Sequence, residues 1–381
     1  MSLSFVSHQA PLGLIEKILS INWGLVLLLS LISGIGFAVL YSAANGSLDP
    51  WALKSMIRFA VALALMLVVA VIDIRLWYRA AYPIYVLAVL LLVLVDVKGV
   101  RGLGAQRWLE LGPLSLQPSE IMKVGLVMVL AHYFNSRTHE EIGRPLHLVF
   151  PTLLVLIPAA LVMKQPDLGT AMMLLLCGGG IFFIAGVRLW KFILVAAGGG
   201  ALVPIAWQFM RPYQKNRIYT FMNPENDSLG AGYHIMQSKI ALGSGGMWGK
   251  GFMMGTQSHL NFLPEKQTDF IFTMFAEEFG MAGAIILLGL YTLVFAYGFA
   301  IGLRCRNQFG RILALGITLN FFLYVFINTA MVMGLIPVVG VPLPLISYGG
   351  TAMLTVMFGF GLLVSVYIHR DVRIGRFGDD A

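Results

Sequence analysis

The sequence predicts an all-α polytopic membrane protein of about ten transmembrane helices, with a long extracytoplasmic loop between the seventh and eighth. Three observations predict it. The chain is 58% hydrophobic and only 12% charged over 381 residues, with mean hydropathy +0.83, whereas soluble domains carry roughly 25% charged residues. Ten apolar segments approach the roughly 17–25 residues that a bilayer core requires: 23–43, 55–72, 80–96, 119–134, 147–163, 169–186, 190–209, 269–301, 311–333 and 350–368. Finally, Lys and Arg collect in alternate short loops, as orientation by the positive-inside rule requires.

Residues 1–22 have no basic leader region and no small-residue cleavage site, so they read as a retained tail and the first span as the insertion signal. With the N-terminus cytoplasmic, the inner loops hold Arg75 and Arg79, Arg137 and Arg144, Arg188 and Lys191, and Arg304, Arg306 and Arg311. The tail adds Arg370, Arg373 and Arg376, which places both termini in the cytoplasm. The outer connection 334–349 has no Lys or Arg, and the one near 164–168 has only Lys164. Segment 210–268 carries six Lys or Arg, but long translocated loops are exempt from the count. A loop of that length is functional or disordered. Its aromatic content, as in "RPYQKNRIYTFMNP", argues against disorder. The stretch "GYHIMQSKIALGSGGMWGKG" fits an amphipathic helix that lies on the outer surface or re-enters it. Without a long polar linker, residues 1–381 read as a single integral domain.

Cys177 and Cys305 are too few and too separated for a disulfide framework or a metal motif. The net charge of +8 is scattered through loops beside spans, so it is assigned to topology and membrane lipids, with no nucleic-acid partner.

Four polar constellations fall on the outer side. In "GAQRWLELGPLSLQPSEIMK", Pro118 and Ser119 start a helix on which Glu120 and Lys123 share a face at i, i+3. The pair is either a cap with a snorkelling lysine or a functional pair, and Arg107 beside Trp108 is either an interfacial anchor or a ligand group. In "KQPDLGTA", Asp167 either caps the sixth span or lines a site. The long loop offers Arg211, Lys215, Arg217, Gln237 and Lys239, cations and an amide of the kind that hold a lipid phosphate or diphosphate.

The fourth is "LPEKQTDFIFTMFAEE", 263–278. On a helix starting near Thr268, Asp269 sits at the mouth, while Glu277 and Glu278 lie about 12 Å deeper and point elsewhere. Carboxylates at bilayer depth cost on the order of 2.5–3.5 kcal/mol, so Glu277 and Glu278 are expected to find donors inside the bundle. Asp269 is the better general base, with stabilisation by the helix dipole as the bland alternative. The segment 328–353, broken by five prolines and glycines in "GLIPVVGVPLP", ends at Ser347 and is expected to wall a polar cavity.

At these residues the chain resembles the SEDS family of bacterial cell-wall proteins, and within it the elongation branch. The motifs "GAQRW", "QPSEIMK", "QPDLGTA", "YQKNRIYTFMNP", "QSKIALGSGG", "GKG", "FLPEKQTDFIF", "AEEFG" and "PLPLISYGG" come in the family's order over nearly the whole chain. The resemblance implies a plasma-membrane peptidoglycan glycosyltransferase that polymerises lipid II during cell elongation. Asp269 would be the general base on the acceptor GlcNAc 4-hydroxyl, and undecaprenyl diphosphate would leave. Arg107, Lys123, Arg217 and Lys239 are then candidates for the diphosphate, with Glu120 orienting Lys123 or helping to hold a divalent cation (Mg2+ or Mn2+). Asp167, Gln237 and Ser347 would complete the substrate site. The family further implies a class B penicillin-binding protein as partner, together with other elongation-complex proteins. Two other readings stay open: a flippase for the lipid-linked precursor, and a scaffold that only binds the cell-wall synthase.

Overall fold

The computed structural model describes residues 13–102, 105–111, 114–210, 212–226, 231–260, 262–263 and 265–375. The N-terminal residues 1–12, Arg211 and Arg376 lie outside the described residues. A short helix α1 (Leu14–Leu19) precedes α2 (Trp23–Ala43), α3 (Ala52–Val71) and α4 (Ile74–Lys98). Strands β1 (Val100–Gly102), β2 (Ala105–Leu111) and β3 (Leu114–Leu116) lead into α5 (Pro118–Asn135) and a single turn, α6 (His139–Gly143). Then follow α7 (Leu146–Lys164), α8 (Leu168–Ile184) and α9 (Leu189–Phe209). The long connection holds α10 (Pro212–Met222), α11 (Ala231–Ser244) and α12 (Thr256–His259), and α13 (Ile271–Arg304), α14 (Gln308–Val332) and α15 (Gly350–Ile368) complete the chain.

The main helices coincide with the ten predicted segments within a few residues. Seven of them (α2, α3, α4, α7, α13, α14 and α15) are long and apolar enough to cross a membrane, and α8 and residues 189–202 of α9 are shorter apolar helices. The chain is a multi-pass membrane protein. Burial separates the helices into two classes. Along α14 and α15 about four-fifths of the residues are buried (83% and 78%), against 33% and 28% along α3 and α4. On α4 the buried residues Ile74, Tyr78, Ala81, Tyr85, Ala88, Leu92 and Val95 repeat every three or four positions. That single seam packs against α5 and leaves the remaining apolar surface to lipid. By contrast α5 is buried almost all round, Glu120 and Lys123 included.

The all-α expectation holds for the bundle, but a small antiparallel sheet in the order β1-β2-β3 stands before α5. Alternation in "QRWLEL" favours an extended strand there. Leu109 pairs with Leu116 and Glu110 with Ser115, and the Ser115 carbonyl accepts from Thr351 Oγ1 at 3.0 Å, which fastens the sheet to the start of α15.

The long connection is helical where an amphipathic helix was expected. On α11, Gly232, Ile235, Ser238 and Ala241 are buried along one stripe while Met236, Lys239 and Ile240 face outward. The stripe packs on α13, and Ser238 Oγ bonds the Val332 carbonyl and Thr273 Oγ1, each at 2.7 Å.

Candidate active site

Asp269 does not lie on a helix that starts near Thr268, as the spacing had suggested. It sits in consecutive turns, 265–270, and α13 begins only at Ile271 with Phe270 as its N-cap. The turns are held from three sides. Asn328, on the last turns of α14, donates from Nδ2 to the Asp269 carbonyl at 2.9 Å and to the Val341 carbonyl at 2.7 Å. Ser347 Oγ donates to the Thr268 carbonyl at 2.6 Å and accepts from the Leu343 amide at 2.8 Å. The Tyr348 amide donates to the Gln267 carbonyl at 2.8 Å. The Pro/Gly-broken segment after α14 therefore forms the bed of the Asp269 turn. At Gly340, whose φ is +69°, a Cβ would lie 3.3 Å from Asp269 Oδ2, so both backbone conformation and space select glycine.

Arg107 on β2 approaches from the other side. Its Nε lies 3.4 Å from the Gln165 carbonyl and 3.8 Å from Asp167 Oδ2, and its outer nitrogen bonds the Pro166 carbonyl. Asp167 caps α8, accepting from the Thr170 amide at 3.2 Å and Thr170 Oγ1 at 3.0 Å. Burial pushes the Asp269 carboxyl up to about 6; Glu265 and Asp167 add to the rise and Arg107 opposes it. Arg107, Asp167 and Asp269 thus belong to one electrostatic site. A carboxylate with a proton affinity near neutrality, beside a cation, is suited to accept a proton from a hydroxyl while the cation attracts an anion.

Glu120 and Lys123 are brought together, but not as a snorkelling pair at the surface. Lys123 is 1% and Glu120 3% exposed, their charged atoms are 2.6 Å apart, Tyr324 donates to the second Glu120 oxygen, and the lysine ammonium sits 4.1 Å over the Tyr324 ring. Burial at this level demands such pairing, because an uncompensated charge would cost several kcal/mol. Ser347, expected to line a cavity, has its hydroxyl engaged on both sides within the backbone of the site.

The described long-loop candidates sit on α10 and α11. Arg217 is half-exposed on α10, which packs on α11 and the 3-10 turn 224–226. Gln237 is half-buried on α11. Lys239 is exposed, and its stem lies over Gly334 at the turn after α14. Among the described residues there is no group of three or more His, Cys, Asp or Glu side chains that could hold a metal ion.

Glu277 and Glu278 answer to a different need: both lie in the first turns of α13, which begins at Ile271 rather than near Thr268. The helix breaks at Gly280 (φ 68°, ψ −167°). Residues 245–251 dock into the break: the Lys250 and Gly251 amides donate to the Glu277 and Glu278 carbonyls at 3.1 and 3.0 Å, and the Met281 and Ala282 amides to the Gly246 and Met247 carbonyls at 2.9 and 3.0 Å. Glu277 accepts from Lys250 Nζ at 2.7 Å, the Gln257 amide at 3.0 Å and Thr256 Oγ1 at 3.2 Å. Glu278 bonds Ser42 near the end of α2 and lies 3.4 Å from His259 Nε2. The two glutamates tie the long connection to the bundle.

Sequence reasoning missed Asn328, Tyr324, Ser42 and His259. Each is an ordinary polar residue in an apolar run or loop, and only its partner, 59, 204 and 236 positions away for Asn328, Tyr324 and Ser42 and 19 for His259, gives it a role.

Comparison with known proteins places these motifs. The family described as "Cell cycle protein", comprising FtsW, RodA and SpoVE, matches residues 17–372. The peptidoglycan glycosyltransferase MrdB of Escherichia coli K12 is 46% identical over 319 residues, 82% of this chain and 84% of that protein. MrdB of Helicobacter pylori J99 is 40% identical over 327 residues, 84% and 83% of the two chains. Among solved structures, a chain reported for the structural coordination of polymerization and crosslinking by a peptidoglycan synthase complex superposes with a TM-score of 0.77 at 35% identity, covering 92% of this chain and 98% of its own. The crystal structure of the rod shape determining protein RodA of Thermus thermophilus gives 0.67 at 31% identity, covering 92% and 97%. The chain belongs to the FtsW, RodA and SpoVE family, the SEDS proteins.

Proposed function

We propose that the protein is a peptidoglycan glycosyltransferase of cell elongation that polymerises lipid II, with Asp269 as general base. The observation that carries this reading is the half-buried Asp269 carboxyl, with its proton affinity raised to about 6 beside the Arg107–Asp167 pair. The relatives' names, MrdB and RodA, support the same activity. In the step, Asp269 takes the proton of the acceptor GlcNAc 4-hydroxyl as that oxygen attacks the donor's anomeric carbon. The bond from that carbon to the diphosphate oxygen breaks, its electron pair leaves with undecaprenyl diphosphate, and the carbon inverts. Such a leaving group needs charge stabilisation rather than a strong acid, and Arg107 is the cation nearest this role. Lys123 serves from behind, holding Glu120 and Tyr324 in place. A divalent cation would supply charge neutralisation to the diphosphate, but among the described residues no group of acidic side chains fits one, and no step is routed through it.

The protein is assigned to the bacterial inner membrane with both termini cytoplasmic, so that Asp269 opens to the outer side. Because the structurally similar chain comes from a peptidoglycan synthase complex that couples polymerization to crosslinking, a class B penicillin-binding protein is the proposed partner. Polymerisation of lipid II by purified protein, alone and with a transglycosylase-free partner, tests the reading. Glycan strands from wild type and none from folded Asp269→Asn support it. Equal product from both removes Asp269 as base, and no product from either, with lipid II crossing liposome membranes, replaces the enzyme by a flippase.

A further inference from the structure

Arg58 lies about two turns into α3, and Lys54 stands four residues before it on the same helical face. Two like charges at i, i+4 repel, and a guanidinium within an apolar span is costly unless something offsets it. The helices packed on this part of α3 offer no counter-charge: α2 and α15 contain no charged residue at all. Among the described residues no carboxylate pairs with Arg58. Instead the half-buried guanidinium lies 4.6 Å above the Tyr348 ring, in space that Gly350 leaves open: a Cβ there would meet the Arg58 side chain at 3.1–3.3 Å. Tyr348 is bonded through its amide to Gln267 and its neighbour Ser347 to Thr268. Arg58 therefore rests on the same strip of backbone that beds the Asp269 turn, at the same end of the bundle. Stacking fixes the plane of the guanidinium but uses none of its five N–H donors.

We propose that Arg58, assisted by Lys54, is a phosphate-binding group that holds a lipid-borne phosphate or diphosphate beside the Asp269 site. The ligand chemistry follows from the setting. The donors form a planar fork that matches phosphate oxygens bidentately, and they lie on a helix whose remaining surface faces lipid, so the anion arrives on a lipid. Its source is either the diphosphate of the lipid-linked donor, which rests on the function proposed above, or the headgroup of an anionic phospholipid.

The test is direct binding of undecaprenyl diphosphate and, separately, of phosphatidylglycerol in nanodiscs to wild-type protein, Arg58→Gln, Arg58→Lys and Lys54→Gln, with thermal unfolding as the folding control. About a tenfold loss of undecaprenyl diphosphate affinity in Arg58→Gln, recovered only in part in Arg58→Lys, which restores the charge but not the planar fork, is expected from losing a charge-assisted contact. A matching rise in KM for lipid II at nearly constant kcat is expected alongside it. A loss confined to phosphatidylglycerol supports the phosphate site and assigns it to the headgroup. Unchanged affinity for both lipids in a folded Arg58→Gln protein overturns the proposal, leaving Arg58 a stacking residue. Because the binding readouts need no turnover, loss of affinity in a protein that makes no glycan would refute the polymerase reading while leaving this one standing.

Discussion

Replacing Asp269 by Asn is expected to abolish glycan synthesis and, above pH 6, to make the fold more resistant to heat. Asn keeps the size and hydrogen bonding of the side chain but cannot ionise. In the native protein the carboxyl is pushed from 3.8 to about 6, chiefly by burial. At 1.36 kcal/mol per pK unit, ionising it in place costs the folded state at most about 3 kcal/mol, less whatever its partial exposure to water screens. The sign follows from the direction of the shift. Well below pH 3.8 the group is protonated in both states and the penalty is absent; it grows as pH rises through the window from 3.8 to about 6, most of it still missing at pH 4, and is complete above that window. Thermal unfolding in detergent at pH 4 and pH 8, followed through the 7 tryptophans, reads it out. The Asn variant should melt several degrees above wild type at pH 8 and converge with it at pH 4. Wild-type polymerisation at subsaturating lipid II should rise through pH 6 and then level. A melting difference that does not change with pH, or a pH-independent rate between 5 and 8, would refute the account of Asp269 as a strained base.

Other perturbations probe the supports. Lys123→Met leaves Glu120 charged in the core and is expected to cost about 3–5 kcal/mol, while the double change Glu120→Gln with Lys123→Met costs much less than the sum of the single changes, as a denaturation cycle would measure. Asn328→Ala strips donors from the Asp269 and Val341 carbonyls; a cost of about 1–3 kcal/mol in stability and a fall in kcat without a comparable change in KM are expected. Gly249 has φ +81° and its Cβ would fall 2.1 Å from the Glu278 carbonyl oxygen, so Gly249→Ala should undock residues 245–251, measured as new protease cleavage in that segment.

Much of the architecture was legible because a bilayer imposes a local rule: each span must satisfy its own backbone hydrogen bonds and be apolar over its length. Runs such as 23–43 and 350–368 declare themselves without any knowledge of their neighbours. Motifs such as "TDFIF" and "QPDLGTA" likewise pointed to Asp269 and Asp167, since a carboxylate beside an apolar run demands a reason. What a linear reading could not supply was level and partner. Counting 1.5 Å per residue set Glu277 and Glu278 beneath Asp269 on one helix, but Asp269 stands in the turns before Ile271, and the two glutamates take their partners from residues 250–259 and from Ser42. Glu120 and Lys123 share a helical face by spacing alone; that the pair is sealed under Tyr324 depends on a helix some 200 positions away in the chain. Hydrophobicity is a property of a segment and so can be read from the sequence, whereas the environment of a charge is a sum over distant neighbours that only the packed bundle brings together.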